Sequence, residues 1–168
     1  MLYFNSNSLY GKLDLVKAYC ANYKPDILAI TESKLGEDFE DNELLGADFT
    51  IIRNDRKKGA GGVLLAISNQ IGNIQILNQH IGPGESITVT IKLCHQMIFN
   101  IILLYRPPSE HHLDNLEELL LNNPSHHYNI VIGDINLPDI LWQNERGTVN
   151  KQSRSEERRV GKECRSRW

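Results

Sequence analysis

Five polar side chains, each just after a short apolar run, have the types and spacing to do chemistry. They are Asn5 after Leu2-Tyr3-Phe4, Glu32 after Ile27–Thr31, Tyr105 closing Ile98–Tyr105, and the pair Asp134 and Asn136 after Asn129–Gly133. An ionised carboxylate accepts a proton or orients a water molecule. A neutral amide two residues further on donates to a phosphate oxygen without adding repulsion. In extended backbone that spacing puts Asp134 and Asn136 on one side of the chain. The same two residues also suit an Asx turn ahead of Pro138, and spacing alone does not separate the two readings. Glu32 offers a hard oxygen for Mg²⁺, an ion usually held by one or two carboxylates together with substrate phosphate oxygens. A lone carboxylate after a strand is usually only a cap, so the inference rests on four such ends occurring together.

The elements that must position these groups are legible as periodicities. Leu2–Asn5 reads as a strand end. Lys12–Tyr23 places Leu13, Val16, Tyr19, Cys20 and Tyr23 at helical spacing, and Pro25 stops the run. Ile27–Thr31 reads as a buried strand, and Phe49–Arg53, Gly62–Ile67, Ile74–Leu77, Ile87–Leu93 and Ile98–Tyr105 as further strands between Gly, Asn and Pro clusters. Glu110–Leu121 has helical spacing. Asn129–Gly133 has no polar break, which suggests a strand central in its sheet. Several strands in a row between two helices point to mixed or antiparallel sheets and away from a simple doubly wound α/β fold.

The composition sets outer bounds. A chain of 168 residues, 40% hydrophobic and 23% charged, can bury one core. No apolar run approaches the ~20 residues of a membrane-spanning helix, and the opening residues lack the charged and apolar regions of a signal peptide. Cys20, Cys94 and Cys164 are an odd number without paired spacing, which argues against a disulfide framework or zinc cluster and for an intracellular, reducing compartment. The net charge of −3 is uneven: residues 151–168 hold seven basic and three acidic side chains, leaving 1–150 with 11 basic and 18 acidic ones. The expected organisation is a domain over 1–150 followed by a basic tail over 151–168, either disordered or foreign to the domain.

Five segments then occur in an order that resembles the endonuclease/exonuclease/phosphatase superfamily, and most closely the endonuclease domain of non-LTR (LINE-type) retrotransposon polyproteins. They are Asn5-Ser6-Asn7-Ser8-Leu9 with Lys12-Leu13-Asp14; Lys24-Pro25-Asp26 through Thr31-Glu32-Ser33; Arg53-Asn54-Asp55-Arg56 with Gly59-Ala60-Gly61-Gly62; Tyr105-Arg106-Pro107-Pro108; and Gly133-Asp134-Ile135-Asn136-Leu137-Pro138 through Trp142. The resemblance implies a four-layered α/β sandwich with two mixed β-sheets (DNase I-like). By the same resemblance Glu32 binds the metal, with Asn5 arranging metal and phosphate. Tyr105 hydrogen-bonds the phosphate, Asp134 orients or deprotonates the attacking water, and Asn136 is its amide partner. The implied cofactor is Mg²⁺ or Mn²⁺, the implied substrate is target-site duplex DNA nicked in one strand, and a reverse transcriptase domain is expected in cis.

Other residues carry less. Arg56 and Arg106 are possible DNA contacts. Gly59, Gly61 and Gly62 suit a turn with positive φ; no helix carrying Lys-Ser/Thr follows to make them a phosphate loop. His111, His112, His126 and His127 read as surface residues, and Cys20 and Cys94 as core thiols. The family pattern also continues beyond the Gly-Asp-Ile-Asn region to a Ser-Asp-His motif, whereas here no histidine follows His127 and no Asp-His pair follows Asp134. The expectation is therefore a fold incomplete at its C-terminus and an impaired catalyst. The alternatives are an inactive fragment, or a phosphatase or phosphodiesterase of the same superfamily.

Overall fold

The computed structural model describes residues 1–36, 38–56, 59–70, 75–82, 85–92, 97–108, 127–136, 140–143 and 146–149. Its elements are β1 (Leu2–Asn5), α1 (Leu13–Tyr23), β2 (Ile27–Thr31), α2 (Asp41–Leu45), a 3₁₀ turn (Gly46–Asp48), β3 (Phe49–Asn54) and β4 (Val63–Ser68). There follow β5 (Gln75–Gly82), β6 (Glu85–Lys92), β7 (Ile98–Tyr105), β8 (Tyr128–Asp134), β9 (Ile140–Gln143) and β10 (Arg146–Val149).

The strands form two four-stranded mixed sheets, in the orders β1-β2-β4-β3 and β5-β6-β7-β8, and β9 pairs with β10 as a separate hairpin. Each large sheet has one parallel pair at an edge, β1 with β2 and β7 with β8, and is otherwise antiparallel. Parallel neighbours end at the same side, so Asn5 lies beside Thr31 and Tyr105 beside Asp134. Thus the carboxyl ends of both parallel pairs deliver the polar residues singled out from the sequence.

Strand β2 is apolar except for Thr31 and buried throughout, yet its side chains still alternate. Ile27 and Ala29 join Val63, Leu65 and Ile67 of β4 against Ile87, Val89, Ile101 and Leu103 of the second sheet. Leu28 and Ile30 point the other way, with Leu64 and Ala66, onto Val16 and Cys20 of α1 and onto Leu9, Leu35 and Leu44. This gives the layer order helix, sheet, sheet. Each fully buried aliphatic side chain contributes about 1.5–3 kcal/mol from burial, and the core between the sheets holds their two carboxyl edges together.

Helix α1 ends where Lys24 turns left-handed (φ 44°) and donates its N–H to the Cys20 carbonyl at 2.9 Å, ahead of Pro25. Val16 and Cys20 face the core as the spacing suggests, but Tyr19 and Tyr23 do not: they stack on each other at 5.7 Å on the exposed side. Spacing of three and four residues describes a wide stripe, and the sheet covers only part of it. Burial holds the Cys20 thiol above its ordinary pKa.

Strand β8 stands at an edge of the described sheet, where a central place was expected. An unbroken apolar run reports cover on both faces and says nothing about neighbours on both sides. Strand β5 runs on to Gly82, five residues past the expected end, because Asn78–Gly82 keeps pairing with β6 after an irregularity at Ile76 and Asn78. The expected helix over 110–121, His111, His112, His126, Cys94 and the tail 151–168 lie outside the described residues. His127 is half-buried, with Nδ1 3.3 Å from the Asn100 side-chain amide, and so differs from the solvated residue expected. Among the described residues no helix is long and apolar enough to cross a membrane.

Candidate active site

Four of the five candidate residues meet where the carboxyl edges of the two sheets face each other. The amide nitrogen of Asn5 donates to Glu32 Oε1 at 2.9 Å and to Asp134 Oδ2 at 3.2 Å, so one NH₂ group joins the two carboxylates. Its carbonyl oxygen is held by the Asn7 N–H at 2.9 Å, which fixes which way the amide faces. Tyr105 completes the group. Burial, followed by the charge of Glu32 and a hydrogen bond to its carboxylate, pushes the phenol up to about 12, with Glu85 and Asp134 adding to the effect. Tyr3, whose hydroxyl lies 3.2 Å from Thr31 Oγ1, is raised by burial and by the charges of Asp134 and Glu32, against the lowering effect of the Thr31 bond.

The backbone is shaped to make this meeting possible. Ser6 N–H bonds the Thr31 carbonyl at 2.9 Å and Ser8 N–H the Glu32 carbonyl at 2.8 Å, so the loops leaving β1 and β2 run side by side. Six described non-glycine residues have positive φ, and five of them lie here: Asn7, Ser8, Glu32, Lys34 and Asn136. Such conformations cost of order 1–3 kcal/mol each and persist only where the surroundings over-determine them. Here the Ser6 hydroxyl donates to the carbonyls of Thr31 (3.2 Å) and Glu32 (2.8 Å), while Lys12 Nζ donates to those of Ser6 and Asn7.

Asn136 differs from the arrangement considered above. Strand β8 ends at Asp134, and Asn136 is left-handed (φ 47°), so the extended backbone that would align the two side chains is absent. Its amide donates to the Arg106 carbonyl at 2.8 Å. Arg106, expected as a possible DNA contact, is 5% exposed, and its Nη1 donates to the carbonyls of Ile135 (3.3 Å) and Asn136 (2.5 Å). It therefore braces the loop after β8 from inside. The two loops are tied reciprocally, since Arg106 N–H also bonds the Asp134 carbonyl at 2.9 Å. Arg56 remains half-exposed, with Nη1 3.2 Å from Glu85 Oε1.

Three residues at the site carried no clear sequence signal. Lys34 brings a cation to Glu32: its Nζ lies 3.8 Å from Glu32 Oε2 and donates to Asn7 Oδ1 at 2.6 Å. Tyr3 is hidden as one apolar residue in a strand. Glu85 is a carboxylate at the start of β6, in register with Tyr105, and a single acid before a strand has no distinguishing pattern. Lys34 could have been found, because it directly follows Thr31-Glu32-Ser33.

The donor set suits a hard divalent cation. Two carboxylate oxygens lie within hydrogen-bond distance of one amide nitrogen, and both raise the neighbouring phenols. Among the described residues no group of three or more His, Cys, Asp or Glu gathers to enclose a metal. A centre built on Glu32, with Asn5 and Asp134 beside it, would thus leave most positions to water and phosphate, as Mg²⁺-type sites do.

The fold has known counterparts. An AP endonuclease from Archaeoglobus fulgidus superposes with a TM-score of 0.64 at 19% identity, over 98% of this chain and 68% of that one. The AP endonuclease LMAP from Leishmania major gives 0.63 at 18% identity, over 98% and 65%. The 3′ phosphatase NExo from Neisseria, solved with a product DNA hairpin, gives 0.56 at 17% identity, over 82% and 57%. The chain thus spans between 57% and 68% of the lengths of these structures. No curated protein matches its sequence. The family model described as "Endonuclease/Exonuclease/phosphatase family" matches residues 2–161, and with two mixed sheets meeting at a carboxylate–amide–phenol cluster the chain belongs to that family.

Proposed function

We propose that the chain is the endonuclease part of a non-LTR retrotransposon protein, an intracellular phosphodiester hydrolase that nicks one strand of duplex DNA with Mg²⁺ or Mn²⁺. The observation that carries the hydrolase reading is the Asn5 amide joined to both Glu32 and Asp134. The retroelement reading rests on the Tyr105-Arg106-Pro107-Pro108 and Gly133-Asp134-Ile135-Asn136-Leu137-Pro138 segments, and a reverse transcriptase domain in cis belongs to the same reading.

Glu32, with Asn5 beside it, would hold the divalent ion, which would supply Lewis-acid polarisation of the phosphoryl oxygen when bound. Asp134 accepts the proton of the attacking water. Tyr105 stays protonated at neutral pH and donates its O–H where charge builds on the phosphoryl group. Asn5 holds both carboxylates at their separation, and Lys34 offers a positive charge beside them. Asn136 reaches a phosphate only by releasing the Arg106 carbonyl. Arg56, half-exposed beside Glu85, is the side chain we assign to the DNA backbone. In phosphoryl transfer such positioning and charge stabilisation supply most of the acceleration.

The test is relaxation of supercoiled plasmid by the purified chain. Mg²⁺-dependent nicking that EDTA stops and that Glu32→Ala and Asp134→Ala each abolish is the expected result. A plasmid left supercoiled identifies an inactive fragment, and hydrolysis of inositol phosphates without DNA cleavage identifies a phosphatase of the same family. The retroelement reading fails if the coding sequence downstream holds no reverse transcriptase frame.

A further inference from the structure

Glu85 is the acidic group near the site that the proposed chemistry does not use. It opens β6 in the second sheet, directly opposite Tyr105 in the ladder, and its side chain is 8% exposed. Its Oε2 accepts the N–H of Gly62, in the loop between β3 and β4 of the first sheet, and Oε1 pairs with Arg56 Nη1 at 3.2 Å. A nearly buried carboxylate is costly unless it is paired and hydrogen-bonded, and here it has both kinds of partner.

The loop it holds is the one that supports Glu32. The Gly62 carbonyl accepts the Ser33 N–H at 3.1 Å, the Gly61 carbonyl accepts the Lys34 N–H at 2.8 Å, and the Lys34 carbonyl accepts the Gly59 N–H at 3.4 Å. Ser33 and Lys34 directly follow Glu32, whose left-handed φ of 53° must be maintained from outside. The Gly62 peptide therefore links Glu85 on one side to the residue after Glu32 on the other. The glycines are required by the same geometry. A Cβ on Gly61 would overlap the Glu85 carboxylate, and one on Gly62 would stand 2.6 Å from Ser33 Oγ at a φ of +85°.

We propose that Glu85 is a positioning residue for the site: its carboxylate fastens the second sheet to the Gly61-Gly62 loop and so fixes Glu32 in the first sheet relative to Tyr105 in the second. It acts through Gly62 and Ser33 and touches neither substrate nor metal. The inference rests on the hydrolase reading for its effect on rate, but its structural content stands apart from turnover. Side chains misplaced by about 1 Å commonly cost on the order of 10²-fold in rate, so a fastening of this kind is read in kcat more than in KM.

The experiment compares Glu85→Ala and Glu85→Gln with the unaltered chain by three measurements: amide hydrogen exchange, Mn²⁺ binding followed by electron paramagnetic resonance, and plasmid nicking. Glu85→Ala should speed exchange at Ser33 and Lys34 while α1 and β2 stay protected. It should weaken Mn²⁺ binding and lower kcat by about 10–100-fold with KM within about twofold. Glu85→Gln keeps an oxygen to accept the Gly62 N–H, so it should restore protection and most of the rate, which a general loss of stability would not do. Unchanged exchange at Ser33 and Lys34 with unchanged Mn²⁺ affinity in Glu85→Ala would overturn the proposal, as would Glu85→Gln behaving like Glu85→Ala in both. If the unaltered chain does not nick DNA, the endonuclease reading fails, and the exchange and Mn²⁺ measurements still decide the role of Glu85.

Discussion

Asn5 and Asp134 belong to different sheets and stand 129 positions apart in sequence, yet a 3.2 Å hydrogen bond joins their side chains. The same Asn5 nitrogen reaches Glu32 at 2.9 Å, so a single neutral donor keeps two like charges at a working separation. Asn5→Ala removes that donor and leaves the carboxylates to repel. The expected result is a fall of about 10²-fold in kcat for plasmid nicking, with thermal stability little changed because Asn5 lies outside the core.

Tyr105 yields a prediction in pH. Its phenol is pushed up to about 12 in the folded protein, above its ordinary value of 10.0. The folded state therefore holds this proton more tightly than the unfolded chain does. Stability from this group is fully present below pH 10 and is lost as the pH rises toward about 12. In metal-free protein, the melting temperature of the unaltered chain should drop more steeply between those values than that of Tyr105→Phe. At neutral pH the same variant should nick on the order of 10²-fold more slowly, because a donor to the phosphoryl group is gone.

Arg106 and Arg56 separate a brace from a contact. Arg106 is buried, with Nη1 on the carbonyls of Ile135 and Asn136, so Arg106→Ala leaves acceptors unpaired inside the protein. Chemical denaturation should show a loss of about 1–3 kcal/mol, while the dependence of DNA affinity on salt keeps its slope. Arg56→Ala takes the ion-pair partner from the nearly buried Glu85 carboxylate and so also lowers stability, but unlike Arg106→Ala it should make the salt slope shallower by about one unit if the side chain meets a phosphate.

The glycines of the β3–β4 loop differ in a way that stability measurements can read. Gly59 has φ +83° and open space around it, so Gly59→Ala incurs only backbone strain, about 1–2 kcal/mol. Gly62 has φ +85° and the Ser33 hydroxyl 2.6 Å from where a methyl would stand, so Gly62→Ala adds a clash to the same strain. Denaturation midpoints should rank Gly62→Ala below Gly59→Ala. Equal midpoints would show that the Ser33 side chain moves aside freely.

The strands and the partners at the site were legible to different degrees. Apolar runs bounded by Gly, Asn and Pro located β1 to β4 and β6 to β8 within a few residues, because burial in a sandwich core demands such runs. Helix α2 was missed: with five residues it has no full period to display, and its capping box pairs two glutamates, Glu40 and Glu43. Strands β9 and β10 were missed because Ile140–Gln143 and Arg146–Val149 are short and mixed in character. At the site, Asn5, Glu32, Tyr105 and Asp134 could be named from strand ends because rigid ladders deliver them. Asn136 and Arg106 could not be assigned their contacts, since a left-handed turn after β8 redirects one and burial claims the other. Glu85 was invisible because its importance lies in a loop of the opposite sheet.

The two parallel pairs also impose an order of events on a chain made from its amino terminus. Asn5 and Glu32 follow neighbouring strands of one sheet and meet by pairing over a short span, whereas Asp134 comes from the far end of the second sheet, at the end of the β7–β8 pair. Closure of so long a loop is slow compared with local pairing. A nascent chain therefore holds Glu32 beside Asn5 before Asp134 arrives to complete the carboxylate pair. The carboxylate pair is thus a late property of the assembled sandwich and belongs to neither sheet alone.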